Sequence, residues 1–591
     1  VNDTERMIAE YMSKKREAAF STLTAKFGKE SITALISRGI LSKRRILSDG
    51  RIRGEAEKKK KEFLKRERVL TAEQKAAKDK IASTKKRNTL LFGVTGSGKT
   101  EIYIELIKEA LSEGFGSIFL VPEISLTPQM KERFTTIFGD SIAILHSRMT
   151  DAERVSEWKS VYSGEKKIVL GVRSAVFAPV KNLKYIIIDE EHETTYKQDV
   201  SPRYNAKFVA IRRGEIENLK IVFGSATPSI ENFYYAKEGV FEYVKLDSRF
   251  AESEKADIKV VNMKNEKNEN WSDILIESIV TRLRNNEQSL LFLNRKGYST
   301  YVQCKDCGHI ERCPHCSVSY IYYKSSNMMK CSYCGKNKIF THKCTKCGSK
   351  NVNYQGTGTE KLENELETML KGARILRVDS DTVKEKDSYE NIYKDFIERK
   401  YDILLGTQII AKGFHFPDIT LAGVISADSI LNFPDFRAGE KTFQLIVQAA
   451  GRAGRGDKKG EVIIQTYTPE NYVIRHSVTG NYEKFYEEEI EFRKALNYPP
   501  CGKIINIIIS AESEDGLEEQ AVRFFNKIKM EGPEMFGPLP APIYKIKNRY
   551  RYQIFIKGDR DSVNSLKIKL KDVLAEYRDD TIRIAVDIDP I

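Results

Sequence analysis

The chain has 591 residues, 41% of them hydrophobic and 10% aromatic, which calls for several packed domains and excludes both a single core and a disordered polymer. No apolar run approaches the ~18–20 residues of a membrane span and no secretory leader opens the sequence, so a soluble cytoplasmic protein with no membrane partner is expected. The net charge of +15 is concentrated: residues 1–70 carry +9 and residues 301–350 carry +7, which suits a polyanionic partner such as nucleic acid, although a charge run also serves as a plain solvated face.

In chain order, residues 1–56 form a first module. AFSTLTAKFG and KESITALISRGI read as two short helices, with Ile32, Leu35 and Ile36 at i, i+3, i+4 on the second, and LSKRRILSDGRIR reads as a basic strand-turn-strand. A winged helix fits, and so does a plain three-helix packing unit. Residues 57–69, with EKKKKEFLKRER, read as a charged linker. From 70 to 247, TLLFGV, GSIFLVPE, SIAILH, KKIVLGV, LKYIIIDE and KIVFGSAT are continuous apolar strands separated by helices, the pattern of a buried parallel sheet. QSLLFLNR, ARILRVDS, YDILLGTQ, LAGVISAD and GEVIIQTY make a second set over 248–300 and 351–485, interrupted by a cysteine-rich insertion at 301–350. In the final segment, 486–591, the order strand, helix, two strands, helix, strand gives a compact α+β domain. The fold class expected is α/β, with two parallel-sheet lobes.

GVTGSGKT (93–100) follows a strand and opens a helix. Gly93, Thr95, Gly96, Ser97 and Gly98 let backbone N–H groups close around phosphates, Lys99 balances their charge, and Thr100 is a Mg²⁺ ligand. KYIIIDEEH ends a buried strand in acidic residues, placing Asp189 on Mg²⁺ and Glu190 against the attacking water. An acidic helix cap is the plain alternative, made poor by the phosphate loop upstream. The next residues, 191–204, hold Tyr196, Lys197, Arg203 and Tyr204, a mix able to stack on bases, grip phosphates and pass DNA binding to the acidic pair. A surface loop packed against its own lobe is the alternative. QAAGRAGR (448–455) supplies Gln448 as a nucleotide contact, and Arg452 and Arg455, three apart, face one way on a helix as arginine fingers for a γ-phosphate held between two lobes.

Eight of the nine cysteines form C-x-x-C pairs at 304/307, 313/316, 331/334 and 344/347, a spacing that implies structural zinc rather than disulfides. Only five residues separate the first two pairs, a tight wrap for one ion, so Cys313, Cys316, Cys331 and Cys334 are expected to hold one Zn²⁺. Cys304, Cys307, Cys344 and Cys347 would hold a second around them. The lone Cys501 reads as an inert thiol. YKIKNRYRYQIFIK (544–557) alternates cations with Tyr544, Tyr550 and Tyr552, as a base-stacking face does and as an ordinary strand pair does.

The ordered series LTAEQ, GVTGSGKT, VPEISLTPQ, GVRSAVF, DEEH, GSATPS, LFLNRKGY, GTGTE, LLGTQIIAKGFHFPDITLAGV and QAAGRAGR resembles the superfamily 2 helicases. VPEISLTPQ, DEEHETTYKQ, LFLNRKGY, the cysteine block and GTQIIAKGFHFP resemble the bacterial replication-restart helicases, the PriA (primosomal protein N-prime) family, over essentially the whole chain. The resemblance implies two RecA-like lobes with ATP in their cleft, Gln74 on the adenine, GSATPS linking ATP state to strand position, and 3′-to-5′ movement. It also implies remodelling of abandoned forks, primosome assembly, and location at forks on the bacterial nucleoid. Forked and single-stranded DNA, single-stranded DNA-binding protein and helicase-loading proteins are the partners implied, with the chain acting as a monomer. Two departures stand out. The domain that family members carry ahead of the winged helix to capture a nascent 3′ end is absent from this sequence, and Val1 in place of Met is expected of a fragment or processed chain. Pro202 also stands where relatives put an aromatic. An RNA substrate for the same core, and an assembly platform with an incidental ATPase, are the two rival readings.

Overall fold

The computed structural model describes residues 69–591 except 124–125, 249–255, 294–300, 316–317, 324–326, 332–333, 354–358, 379–387, 408–415, 417, 455–457, 578–580 and 591. Of residues 1–68 it describes Ile8, Leu23, Lys26, Phe27, Ser31, Ile32 and Leu35. Residues 1–67 form one compact unit and 68–591 another. Ile8, Leu23, Ile32 and Leu35 are helical and buried within the first, and the rest of the expected winged helix lies outside the described residues.

The second unit opens with helix Ala72–Ser83, started by a capping box in which Thr71 and Gln74 satisfy one another's backbone N–H groups. Lobe 1 follows as a parallel seven-stranded sheet of β1 (Asn88–Gly93), β2 (Gly116–Leu120), β3 (Ile142–Leu145), β4 (Ile168–Gly171), β5 (Leu183–Ile188), β6 (Lys220–Ser225) and β7 (Glu242–Leu246), in the order β3-β4-β2-β5-β6-β1-β7. Helices cover both faces, so alternate residues of one strand enter different cores: Leu90 packs with Ile118 and Ile186, its neighbour Leu91 with Phe119 and Ile187. That two-sided burial is why the central residues of β1 to β6 form continuous apolar runs.

Lobe 2 is a six-stranded parallel sheet. Its first strands are β8 (Asp257–Asn262) and β9 (Gln288–Phe292). The insertion then contributes β10 (Gln303–Cys304), β11 (Ile321–Tyr323), β12 (Met328–Lys330), β13 (Asn337–Ile339) and β14 (Val352–Asn353), with β10 paired to β14 at its base. The chain returns for β15 (Ile375–Val378), β16 (Ile403–Gly406), β17 (Ile419–Val424) and β18 (Glu461–Thr466), giving the sheet order β15-β16-β9-β17-β18-β8. The sequence reading missed β7 and β8. Both are edge strands, and EYVKL and DIKVVN mix charged with apolar residues instead of running apolar.

Helix Tyr482–Ala495 leaves lobe 2 and packs Phe485, Tyr486 and Ile490 into the core of lobe 1 beside Leu90 and Phe92, so the expected boundary at 485/486 falls inside a helix. The last domain runs β19 (Lys503–Ala511), helix Leu517–Ile528, β20 (Glu534–Ile546), β21 (Arg549–Gly558), helix Arg560–Glu576 and β22 (Ile582–Ile588). Its antiparallel order β20-β21-β19-β22 is the ferredoxin-like arrangement. In its β20–β21 hairpin Tyr544 lies 5.6 Å from Tyr550 and 5.9 Å from Tyr552, and Tyr552 is buried; these rings pack on one another, as in an ordinary strand pair.

Candidate nucleotide and nucleic-acid site

β1 ends at Gly93 and helix Lys99–Ser112 begins six residues later, so the connecting loop wraps a helix N-terminus, where free N–H groups and the helix dipole favour an anion. Gly96 (φ 84°) and Gly98 (φ 78°) take the left-handed conformations that the loop needs. Lys99 is 9% exposed and donates to the Gly93 carbonyl at 2.8 Å, while the buried Ser97 hydroxyl has no hydrogen-bond partner among the described residues. A cradle, a poised cation and an orphaned hydroxyl together fit a nucleotide phosphate. Thr100, half-buried, follows on the helix. Gln74 is buried, and its Nε2 donates to the Ser97 carbonyl at 2.8 Å and would meet any Cβ at Gly98 at 2.3 Å, so it braces the loop.

Asp189 and Glu190 emerge from the end of β5 beside this loop. Burial, then the neighbouring charge of Glu190, pushes the Asp189 carboxyl up to about 6, with Lys99 and a hydrogen bond from Tyr103 (3.1 Å) pulling it down. Glu190 takes a left-handed backbone (φ 45°) and stays 35% exposed. Glu191 differs entirely: it is fully buried, with Oε1 accepting from Ser229 N (2.6 Å) and Oε2 from Ser229 Oγ (2.9 Å), Asn232 Nδ2 (2.6 Å) and Lys207 Nζ (3.0 Å). It ties DEEH to GSATPS. His192 meets Ser225 Oγ at 2.8 Å, and burial lowers its pKa while Glu193, Glu190 and Glu191 more than restore it, leaving it raised.

Lobe 2 meets this cluster through helix Ala438–Ala450. Gln448 Nε2 lies 2.8 Å from His192 Nε2, so in this arrangement Gln448 grips DEEH rather than standing free for a nucleotide. Gly451 packs so closely on Thr95 that a Cβ there would lie 2.9 Å from its Cγ2. Burial lowers the pKa of Arg452, and the negative charge of Glu190 works in the opposite sense without restoring it. The helix ends at Ala450 and residues 451–454 form a turn, with Gly454 at φ 70°, so the helical spacing expected of the two arginines is replaced by a turn. Arg455 lies outside the described residues, as do NRKGY and most of GTGTE and QIIAKGFHFP.

The loop at 191–204 corrects two expectations. Tyr196 is 1% exposed and its hydroxyl donates to the carbonyls of Asp189 (2.6 Å) and Leu120 (3.1 Å), so it packs under the acidic pair and offers no ring to a base. Lys197 is buried too, paired with Asp587 at 2.7 Å and donating to the Ile588 carbonyl at 2.8 Å, and Arg203 also reaches Asp587, at 3.2 Å. The phosphate grip expected of these two cations is filled here by a carboxylate on β22. Tyr204 sits edge-on to Phe177 (4.9 Å) and under Arg173 (5.9 Å). A cavity of about 810 Å³ opens between the lobes, bordered by Arg173, Lys197, Gln444 and Gln448.

In the insertion, the sulfurs of Cys304, Cys307, Cys344 and Cys347 lie within 4.8 Å of one another, and those of Cys313, Cys331 and Cys334 form a second group; Cys316 lies outside the described residues. Sulfur separations of 3.5 and 3.6 Å are far too long for disulfides and close to the ~3.8 Å edge of a tetrahedron with ~2.3 Å zinc–sulfur bonds. The donor sets fit zinc, and the described cysteines group as their spacing led one to expect.

A DEAD/DEAH box helicase domain is matched over residues 71–234, the helicase conserved C-terminal domain over 337–457, the PriA DNA helicase Cys-rich region over 313–338, and the primosomal protein N C-terminal domain over 494–591. The replication restart protein PriA of Chlamydia pneumoniae is 40% identical over 538 residues, covering 88% of this chain and 72% of that protein. This chain belongs to the PriA family. PriA of Bacillus subtilis is 43% identical over 536 residues, 88% of this chain and 66% of that protein, so the chain spans about two thirds of the length of these curated relatives. Among solved structures, RecG bound to a three-way DNA junction is similar over 75% of this chain and 51% of its own, at 17% identity and a TM-score of 0.44.

Within this chain, sequence reasoning gave no role to Tyr103, Glu191 or Asp587. Tyr103 sits in an amphipathic helix where an aromatic reads as core, and Asp587 lies almost 400 residues from the loop that it holds. For Glu191 a signal existed in the doubled glutamate of DEEH, since one water-polarising carboxylate is enough.

Proposed function

We propose that this chain is the motor of a replication restart protein: an ATP-dependent DNA helicase that moves 3′ to 5′, remodels stalled or abandoned forks and starts primosome assembly. ATP lies on the loop 93–100 with Lys99 on its phosphates and Gln74 at the adenine side, and Mg²⁺ is held by Thr100 and Asp189. The metal, when bound, neutralises charge on the phosphates and orients them. Glu190 orients the attacking water, and Arg452, with Arg455, faces the γ-phosphate from the other lobe. Two zinc ions hold the insertion, a surface for loading partners and single-stranded DNA-binding protein, while forked and single-stranded DNA crosses both lobes. The domain division proposed keeps 70–247 and 248–481 as motor lobes around the insertion at 301–350, with helix Tyr482–Ala495 packed on lobe 1 and the appended domain beginning beyond that helix.

The observation that supports this reading is the close packing of Gly451, from one lobe, on Thr95 in the phosphate loop of the other, with Arg452 the next residue along the chain. ATP turnover with single-stranded, duplex and forked DNA, and with matched RNA, tests it. Stimulation by forked DNA well above that by duplex is expected. Equal stimulation by RNA would favour the RNA reading, and turnover indifferent to every nucleic acid would remove the motor.

A further inference from the structure

Arg493, on helix Tyr482–Ala495, is fully buried and bonded to four segments of the chain. Its Nε donates to Glu489 Oε1 at 2.9 Å, Nη1 to Glu231 Oε1 at 3.2 Å and to the Pro499 carbonyl at 3.1 Å, and Nη2 to Glu440 Oε2 at 2.6 Å. Glu231 belongs to lobe 1, in the helix Ile230–Lys237 that follows GSATPS, and Glu440 belongs to lobe 2. Glu440 Oε1 also accepts from the Ile230 amide at 3.2 Å. One guanidinium thus joins both lobes away from the nucleotide.

The consequence runs along helix Ala438–Ala450. Glu440, Gln444 and Gln448 lie at i, i+4 and i+8 and so share one face. Glu440 bonds lobe 1 at Ile230, Gln444 Nε2 donates to Glu440 Oε1 at 3.2 Å, and Gln448 bonds lobe 1 at His192. Just beyond, Gly451 packs on Thr95, and Arg452, the next residue, lies within the field of Glu190. An α-helix is stiff and rises ~1.5 Å per residue, so the eight residues from Glu440 to Gln448 act as a rod of about 12 Å. Whatever fixes the rod's near end fixes the reach of the arginine at its far end. The near end is held by a planar fork that meets three carboxylates and a carbonyl, a set that a single ammonium cannot reproduce.

We propose that Arg493 is a positioning residue for ATP hydrolysis: by clamping Glu440 to lobe 1 it sets the axial position of helix Ala438–Ala450, and so places Arg452 on the nucleotide. The proposal rests on the motor reading above and adds a residue remote from the nucleotide and outside every motif of that reading.

The test uses the full chain with Arg493→Lys and Glu440→Gln, each checked by thermal unfolding, and measures kcat and KM for ATP at saturating forked DNA together with the affinity of a fluorescent ADP. A displacement of about 1 Å at a catalytic group costs roughly a hundredfold. Arg493→Lys is therefore expected to lower kcat by about ten- to a hundredfold while KM and ADP affinity stay within about twofold, and Glu440→Gln to follow in the same direction with a smaller loss. Should Arg493→Lys fail to fold, the kcat-to-KM split of Glu440→Gln decides. Unchanged kcat in a variant with wild-type melting overturns the proposal, and so does a fall in kcat matched by equal losses in ADP affinity and melting temperature. A wild-type chain without DNA-stimulated turnover overturns instead the reading beneath it.

Discussion

Replacing Glu191 by Gln separates two adjacent glutamates that the sequence presents as equals. The amide can set its carbonyl where Oε2 now accepts from Ser229 Oγ, Asn232 and Lys207, but its NH₂ then faces the Ser229 amide, donor against donor. One buried N–H loses its acceptor, at a cost of ~1–3 kcal/mol, and the Lys207 bond loses its charge assistance, worth another ~1 kcal/mol. Lys207 keeps 16% of its side chain in solvent, which holds the second loss to the low end. Lobe 1 should therefore lose about 3 kcal/mol, and for a unit of this size each ~1 kcal/mol lowers the melting temperature by ~2–4 °C. Calorimetry resolving the lobe 1 transition should find it about 6–12 °C lower. Glu190→Gln is the control, since Glu190 is partly exposed: it should leave melting unchanged and abolish turnover. If Glu191→Gln shifted the transition by less than about 2 °C, the buried network would not be the strut described here.

Lys99→Ala and Asp189→Asn should each abolish ATP turnover yet leave DNA binding largely intact, measured by anisotropy with a labelled fork; retained turnover in either would remove the nucleotide assignment. Arg452→Ala should lower kcat by roughly a thousandfold with little change in nucleotide affinity, because a finger acts on charge that develops in the transition state; a rise in KM alone would show that it is misplaced. Metal analysis should return about two zinc ions per chain, falling by one in Cys313→Ser, with DNA-stimulated turnover less affected than contacts to loading partners; one ion or none in the parent protein would refute two sites. Arg203→Ala and Tyr204→Ala should weaken DNA stimulation of turnover, or release basal activity from its need for DNA, and wild-type activation curves in both would leave the loop at 191–204 structural only.

The two lobes were legible because strands buried on both faces must be apolar through their central residues, and β1 to β6 each carry such a run, with the charged residues Lys184 and Lys220 only near the strand starts. The phosphate loop and the cysteine pairs were legible because their chemistry fixes local spacing. What escaped was non-local or two-valued. Edge strands β7 and β8 carry charge because one side meets water. Tyr196 and Lys197 have the composition of a nucleic-acid grip, and only tertiary packing turns the first under Asp189 and sets the second against β22. Arg452 was found for its charge and its distance from the phosphate loop, but the glycines of QAAGRAGR end the helix that its partner spacing assumed.

The placement of the insertion bears on how lobe 2 is built as the chain is made. β9, central in its sheet, pairs with β16 and β17, which lie more than a hundred residues later, so the sheet cannot close until most of the lobe has been synthesised. All eight cysteines emerge between those strands. Metal capture can thus precede sheet pairing, and once β10 and β14 are zipped at its base the insertion stops counting as slack. That roughly halves the loop joining β9 to β16, which by loop entropy is worth on the order of 0.6 kcal/mol. It also leaves less open chain while the apolar edges of β9 wait for partners, the interval in which a parallel sheet is most exposed to aggregation. Zinc supply during synthesis would then govern the yield of folded motor, with no part in the motor's turnover.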